Sequence, residues 1–141
     1  MESSPLVEQL SAGITLERLH DGQILVFTIT DVSRMTLDSW VNAIKSNTAG
    51  WRDDQKYFAL NHFDGKNVSL TPYLRAKIEE LADWRPAQRG CVAMVLPRTF
   101  FAKLMTLFLP AMKSQNIQSR LFFTRDEGLA WLEKSLAKEL A

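Results

Sequence analysis

The chain has 141 residues, 46% hydrophobic and 23% charged, with 17 Lys and Arg against 16 Asp and Glu for a formal net charge of +1. That length is one domain, able to bury roughly two-thirds of its unfolded surface, and four Trp and eight Phe supply a core that needs neither disulfide nor metal. The lone Cys91 excludes an internal disulfide. The longest apolar stretch, within Thr99–Met112, is broken by Lys103 and Pro110 and falls short of the about 20 residues that span a bilayer.

The opening MESSPLVEQL has no basic segment followed by an apolar run, so it does not read as a signal peptide. The expectation is a reduced, cytoplasmic protein. Its charges are unevenly placed. Between Trp84 and Arg125 there is no acid, while Arg85, Arg89, Arg98, Lys103, Lys113, Arg120 and Arg125 give seven positives; the remainder carries ten Lys or Arg against sixteen acids, a net of −6. Such asymmetry fits an anionic ligand, an acidic partner or a membrane surface, as well as a chance scatter of surface cations.

In chain order, residues 1–13 read as a polar N-terminal extension that frays or lies over an edge, and 14–141 as the domain. Ile14–Leu19 alternates apolar and polar residues like a half-buried strand. His20-Asp21-Gly22-Gln23 carries a hairpin signal in its Asp-Gly pair, so Ile24–Thr30 is the second, antiparallel strand. Thr36 reads as an N-cap with Asp38 in the first turn. Leu37, Trp40, Val41 and Ile44 then form one face of a helix.

Tyr57–Phe63 is the third strand, Asp64–Asn67 a loop, and Thr71-Pro72 a cap and first-turn pair for a helix that turns Leu74, Ile78 and Leu81 inward. Cys91–Leu96 is apolar on both faces, as in the middle of a covered parallel sheet. Phe100–Met112 is a helix apolar nearly all round, disturbed at Pro110. Arg120–Phe123 is the last strand. Thr124-Arg125-Asp126-Glu127 is a capping box opening a helix that buries Leu129, Leu132, Leu136 and Leu140.

The order β-β-α-β-α-β-α-β-α predicts a single α/β domain: a single-layer mixed, mostly parallel five-stranded sheet with four helices. Three features resemble the SpoIIAA-like proteins of the STAS superfamily. They are the hairpin leading to a helix opened by Met35-Thr36-Leu37-Asp38, the strand-turn-helix Arg89–Leu109, and the close Phe122-Phe123-Thr124-Arg125-Asp126-Glu127-Gly128-Leu129-Ala130-Trp131-Leu132. The resemblance spans roughly Ile14–Leu136. It implies a STAS/SpoIIAA-like fold and a regulatory or binding module, similar in fold also to lipid-carrying domains. Anti-sigma-factor antagonists in that superfamily carry a phosphorylatable Ser in a D-S-S-G-like turn. The matching stretch Asp64–Pro72 offers Ser69 and Thr71 without that pattern.

Ligands of open α/β sheets gather at the carboxyl ends of the strands, an edge that carries Asp31 and Ser33, then His62, Asp64 and Lys66, Ser69 and Thr71, Arg98 and Thr99, and Arg125. Arg98 and Thr99, with adjacent amides at a helix start, can hold a phosphate or carboxylate; the alternative is an ion pair of Arg98 with Asp31 or Asp64. His62 and Asp64, two apart, share a face if the strand continues and can do general-base work. No nucleophile elbow or Gly-rich phosphate loop accompanies them, and two His and one Cys make no metal site of recognisable spacing.

On the greasy helix, Phe101, Met105, Phe108 and Met112 form a second apolar side that one sheet cannot cover. Its expected cover is the N-terminal segment or a second subunit, giving a homodimer, ahead of a lipid-like ligand. The expectation is therefore a non-catalytic module without cofactor. It acts through a regulatory protein partner or a small anionic or lipid-like ligand, with no nucleic acid and at most peripheral membrane contact. A carrier or sensor of lipid-like molecules is the next reading, and a hydrolase using His62 and Asp64 the last.

Overall fold

Six strands hydrogen-bond in the order in which the chain makes them, β1 (Val7–Ser11), β2 (Ile14–Leu19), β3 (Ile24–Asp31), β4 (Tyr57–Asn67), β5 (Gly90–Val95) and β6 (Ile117–Phe122). This is seen in a computed structural model that describes residues 7–51, 55–84, 89–98 and 117–140. β1–β2 and β2–β3 pair antiparallel, and β3–β4, β4–β5 and β5–β6 parallel. The β2–β3 hairpin closes through left-handed backbone at His20, Asp21 and Gly22, conformations that Asp and Gly tolerate best.

Side chains of successive strand residues point to opposite faces, and both faces of the central strands are buried. On one face Leu25, Phe27, Ile29, Tyr57, Ala59, Phe63 and Met94 meet Leu37, Trp40, Val41 and Ile44 of helix α1 (Arg34–Thr48) and Leu74 of α2 (Pro72–Ala82). The Trp40 indole stands edge-on to Phe63, centroids 5.7 Å apart. Its Nε1 donates to buried Asn61 Oδ1 at 3.0 Å, so the two polar groups within this core satisfy each other.

On the other face Ile24, Val26, Phe58, Leu60, Ala93 and Val95 meet Leu132 and Leu136 of α3 (Arg125–Leu140). The α3 backbone lies close to the sheet at Gly128, where an added Cβ would stand 3.1 Å from Leu60 Cδ1 and 3.2 Å from Val95 Cγ2. The N-cap half of the expected capping box forms, Glu127 N donating to Thr124 Oγ1 at 3.2 Å, while Glu127 Oε1 accepts from the Thr124 hydroxyl at 3.0 Å and not from its backbone amide.

Several expectations change. Among the described residues the sheet has six strands rather than five; it is mixed, as expected, but with two antiparallel pairings beside three parallel ones it is less dominated by parallel pairs than expected. The extra strand comes from the segment read as an extension: Val7–Ser11 is largely exposed, and its place depends on backbone pairing with β2, which leaves no hydrophobic alternation in sequence.

β4 continues through Asp64–Asn67, read as a loop, because Asn67 still pairs with Asp31 across a register shift. Gly65, at φ 125°, makes that irregular step possible. β6 starts at Ile117 instead of Arg120. Ser33, not Thr36, caps α1, its Oγ accepting from Thr36 N at 3.2 Å. Thr36 is then buried in the first turn, and Asp38 instead reaches α2, accepting from the Tyr73 hydroxyl and pairing with Lys77.

Three helices lie among the described residues, against four expected. The expected Phe100–Met112 helix, with Phe101, Met105, Phe108, Met112 and neighbouring Thr99, lies outside the described residues.

Two substitutions at the β4–β5 junction should act in opposite directions. Tyr57 is buried, and its hydroxyl has no hydrogen-bond partner among the described residues. Such an orphan costs stability, so Tyr57→Phe should raise the unfolding free energy by about 1 kcal/mol. Gly90 has φ 153°, and a Cβ there would lie 1.8 Å from Tyr57 O. Gly90→Ala should lower it by at least about 2 kcal/mol. Urea denaturation of the two variants measures both; a destabilised Tyr57→Phe would mean its hydroxyl is satisfied after all.

Candidate functional site

The carboxyl edge of the sheet does not assemble the expected residues into one site. Asp31 works at the start of α1. The Thr36 hydroxyl and the Ser33 amide (3.0 Å) donate to its carboxylate, which they hold below the usual carboxylate range. Thr71 caps α2 by accepting from Leu74 N at 3.0 Å, while Ser69 and Lys66 are exposed. Arg98 pairs with neither expected Asp; it is exposed and stacks on the Phe123 ring at 4.1 Å.

His62, Asp64 and Arg125 do come together. His62 faces α3, with Arg125 at the start of that helix and Asp64 two residues along its own strand. Loss of hydration pushes the His62 pKa below its ordinary 6.5, the Asp64 charge acts upward and the Arg125 charge downward. Arg125 is itself tied to Glu17 of β2 at 2.8 Å. This chain of charges joins the hairpin to α3. Its cation is already paired.

A second region, at the opposite end of the same face, is built differently. α3 lies over β4 and β5, and β6 emerges beside it. Gln118 pairs in register with Cys91 and Arg120 with Ala93, so both project toward the α3 side. Between β6 and the C-terminal half of α3 lies an open groove of about 640 Å³. Phe58, Gly90 and Cys91 form its floor, Gln118 and Arg120 one wall, and Trp131, Lys134, Ser135 and Lys138 the other. Lys56, Arg89 and Glu139 stand at its rim.

Among the described lining residues, five cations thus face one carboxylate. That carboxylate, Glu139, is held by Lys56. The C-terminal end of α3 adds a partial negative charge of about one half, which leaves the groove strongly positive. Arg120 lies near two aromatic rings, its guanidinium 5.4 Å from the Trp131 centroid and 5.7 Å from that of Phe122. Those two rings lie 5.7 Å apart at 41°. Ser135 Oγ donates to Trp131 O at 2.9 Å.

Cys91, at the start of the strand expected to be covered on both faces, is only part-buried. Desolvation raises its thiol pKa, against a hydrogen bond with Ser135 that lowers it. Among the described residues no cluster of three His, Cys, Asp or Glu could hold a metal, and no helix is long and apolar enough to cross a membrane.

The groove was partly legible. Trp131, Lys134, Ser135 and Lys138 stand at i, i+3, i+4 and i+7, one stripe of a helix, and Gln118 and Arg120 alternate along a strand. Nothing local showed that the two stripes face each other, because that depends on where α3 crosses the sheet.

No family model matches the chain, and neither a curated protein nor a solved structure is similar to it at a significant level. The class that its fold defines is α/β, a mixed six-stranded sheet with helices on both faces.

The charge chain at the carboxyl edge makes a directional prediction. Asp64→Asn removes the upward influence on His62 and should lower its pKa further; Arg125→Gln should raise it. NMR titration of the His62 imidazole measures both. The unfolded chain, with a His pKa of about 6.5, takes up this proton first, so the His62 contribution to stability falls as pH drops from about 6.5 toward the lower folded pKa. His62→Gln should flatten the stability profile in that interval.

Proposed function

We propose that the chain is a non-catalytic, STAS-like binding module whose working surface is the cationic groove between β6 and α3, and that its ligand is anionic. The observation that carries this reading is the convergence of Arg120, Lys134 and Lys138, from two separate elements, on one concave surface where, among the described lining residues, the one carboxylate, Glu139, is already paired. Support for the STAS-like part is the opening hairpin followed by strands and helices in alternation, with the strands after the hairpin parallel. A groove on a rigid sheet and helix holds its charges in place before a ligand arrives, which reduces the ordering cost of binding.

Function through binding follows from the kind of groups present. Lys and Arg give attraction and orientation for an anion. Phe58, Cys91 and Trp131 give apolar contact to whatever carries the charge. The cytoplasmic setting and the regulatory role expected from the resemblance belong to this same proposal.

Titration of the labelled protein with sodium pyrophosphate at low salt, followed by amide NMR, tests it. Shifts should concentrate at residues 89–91, 118–120 and 131–139 and saturate together. The double variant Lys134→Glu, Lys138→Glu should bind at least about tenfold more weakly with an unchanged near-ultraviolet circular dichroism spectrum. Shifts scattered over the whole surface, or none, would overturn the reading.

A further inference from the structure

We infer that the ligand of the groove is a compact, multiply phosphorylated small molecule, in preference to a single carboxylate or phosphate or to a long polyanion. This rests on the reading of the groove as an anion site and narrows it.

The first ground is the arrangement of charge. Arg120 comes from β6, Arg89 immediately precedes β5, and Lys134 and Lys138 come from successive turns of α3, about 6 Å apart along its axis. They surround a volume of about 640 Å³, inside the range of roughly 300–1,000 Å³ that small-molecule sites occupy. Cations set around a cavity suit a compact ligand. A nucleic acid or a membrane surface is met by cations spread along a line or a plane.

The second ground is what lies outside. The chain as a whole carries only +1, so the groove's excess is matched by acids elsewhere. On the opposite flank of α3 stand Glu133, beside His20 at 2.8 Å, and Glu17, beside Arg125. Those acids stand in pairs with His20 and Arg125, so the flank offers a polyanion crossing α3 no continuation of the groove's positive potential.

The third ground is chemical. Arg120 stands beside two rings, and a guanidinium favours bidentate contact with phosphate-type oxygens. Lys134 and Lys138 serve as point charges for further phosphate groups. One phosphate would not match the combined charge of Arg120, Lys134 and Lys138. Glu139 holds Lys56 at the rim, so an entering anion competes with it, and its removal should strengthen binding.

Calorimetric titration of the intact protein at fixed low salt, with sodium orthophosphate, sodium tripolyphosphate, a single-stranded oligonucleotide and anionic phosphatidylserine vesicles as probes, tests the inference. Tripolyphosphate should bind at least tenfold tighter than orthophosphate and tighter per molecule than the oligonucleotide. Lys138→Gln and Arg120→Gln should each weaken tripolyphosphate by roughly tenfold, and Glu139→Gln should strengthen it. Arg120→Lys, which keeps charge but loses the fork, should fall between wild type and Arg120→Gln.

Equal affinity for orthophosphate and tripolyphosphate, or preference for the oligonucleotide or the vesicles with the same groove variants impaired, would overturn this inference while leaving an anion groove in place. Binding of no probe, or binding unaffected by all the groove variants, would remove the anion groove itself.

Discussion

The structure depends on a mismatch of widths. Six strands spaced about 4.8 Å apart make a sheet about twice as wide as a helix of 10–12 Å. On one face α1 and α2 are laid side by side. On the other, among the described residues, α3 lies alone over the centre, where Leu132 and Leu136 reach Phe58, Leu60, Ala93 and Val95. Each margin of that face must then be polar or be covered by something else. The hairpin margin is closed by an ion pair, Glu17 with Arg125, and by a hydrogen bond between His20 and Glu133. The β6 margin is left concave and positive.

Helix α3 therefore has two duties. Its apolar stripe holds the sheet, and the stripe beside it forms one wall of the groove. Placement matters because Gly128 brings the helix backbone against Leu60 and Val95; a larger residue there would lift α3 and open the groove at the same time. Some of the cations also serve the helix. Lys138 is in the last turn of α3, where positive charge complements the helix dipole. Arg120, on a strand, has no such duty, and it lies beside Trp131 and Phe122.

The carboxyl edge gives the contrasting case. Its polar residues are the types that bind ligands, yet most have work within the fold. Asp31 and Ser33 order the first turn of α1, Thr71 orders that of α2, and Arg125 ties α3 to the hairpin. Polar side chains at a strand end are often needed simply because a helix begins there with unpaired amide groups. That need, more than ligand chemistry, accounts for the clustering of Ser, Thr and Asp on this edge.

Much of the fold was legible in the chain alone. Asp21-Gly22 marked the hairpin, the spacing of Leu37, Trp40, Val41 and Ile44 marked α1, Thr71-Pro72 opened α2, and Thr124–Glu127 opened α3. These signals are local: each arises from turn geometry, helical period or capping within a few residues. Strand β1 and the extension of β4 past Phe63 were not legible, since both follow from backbone pairing with a neighbouring strand. The site belonged to the second kind. Residues 131–138 and 118–120 each carry a readable stripe, but only the crossing of α3 over β4 and β5 sets those stripes opposite one another, and no interval of sequence encodes that crossing.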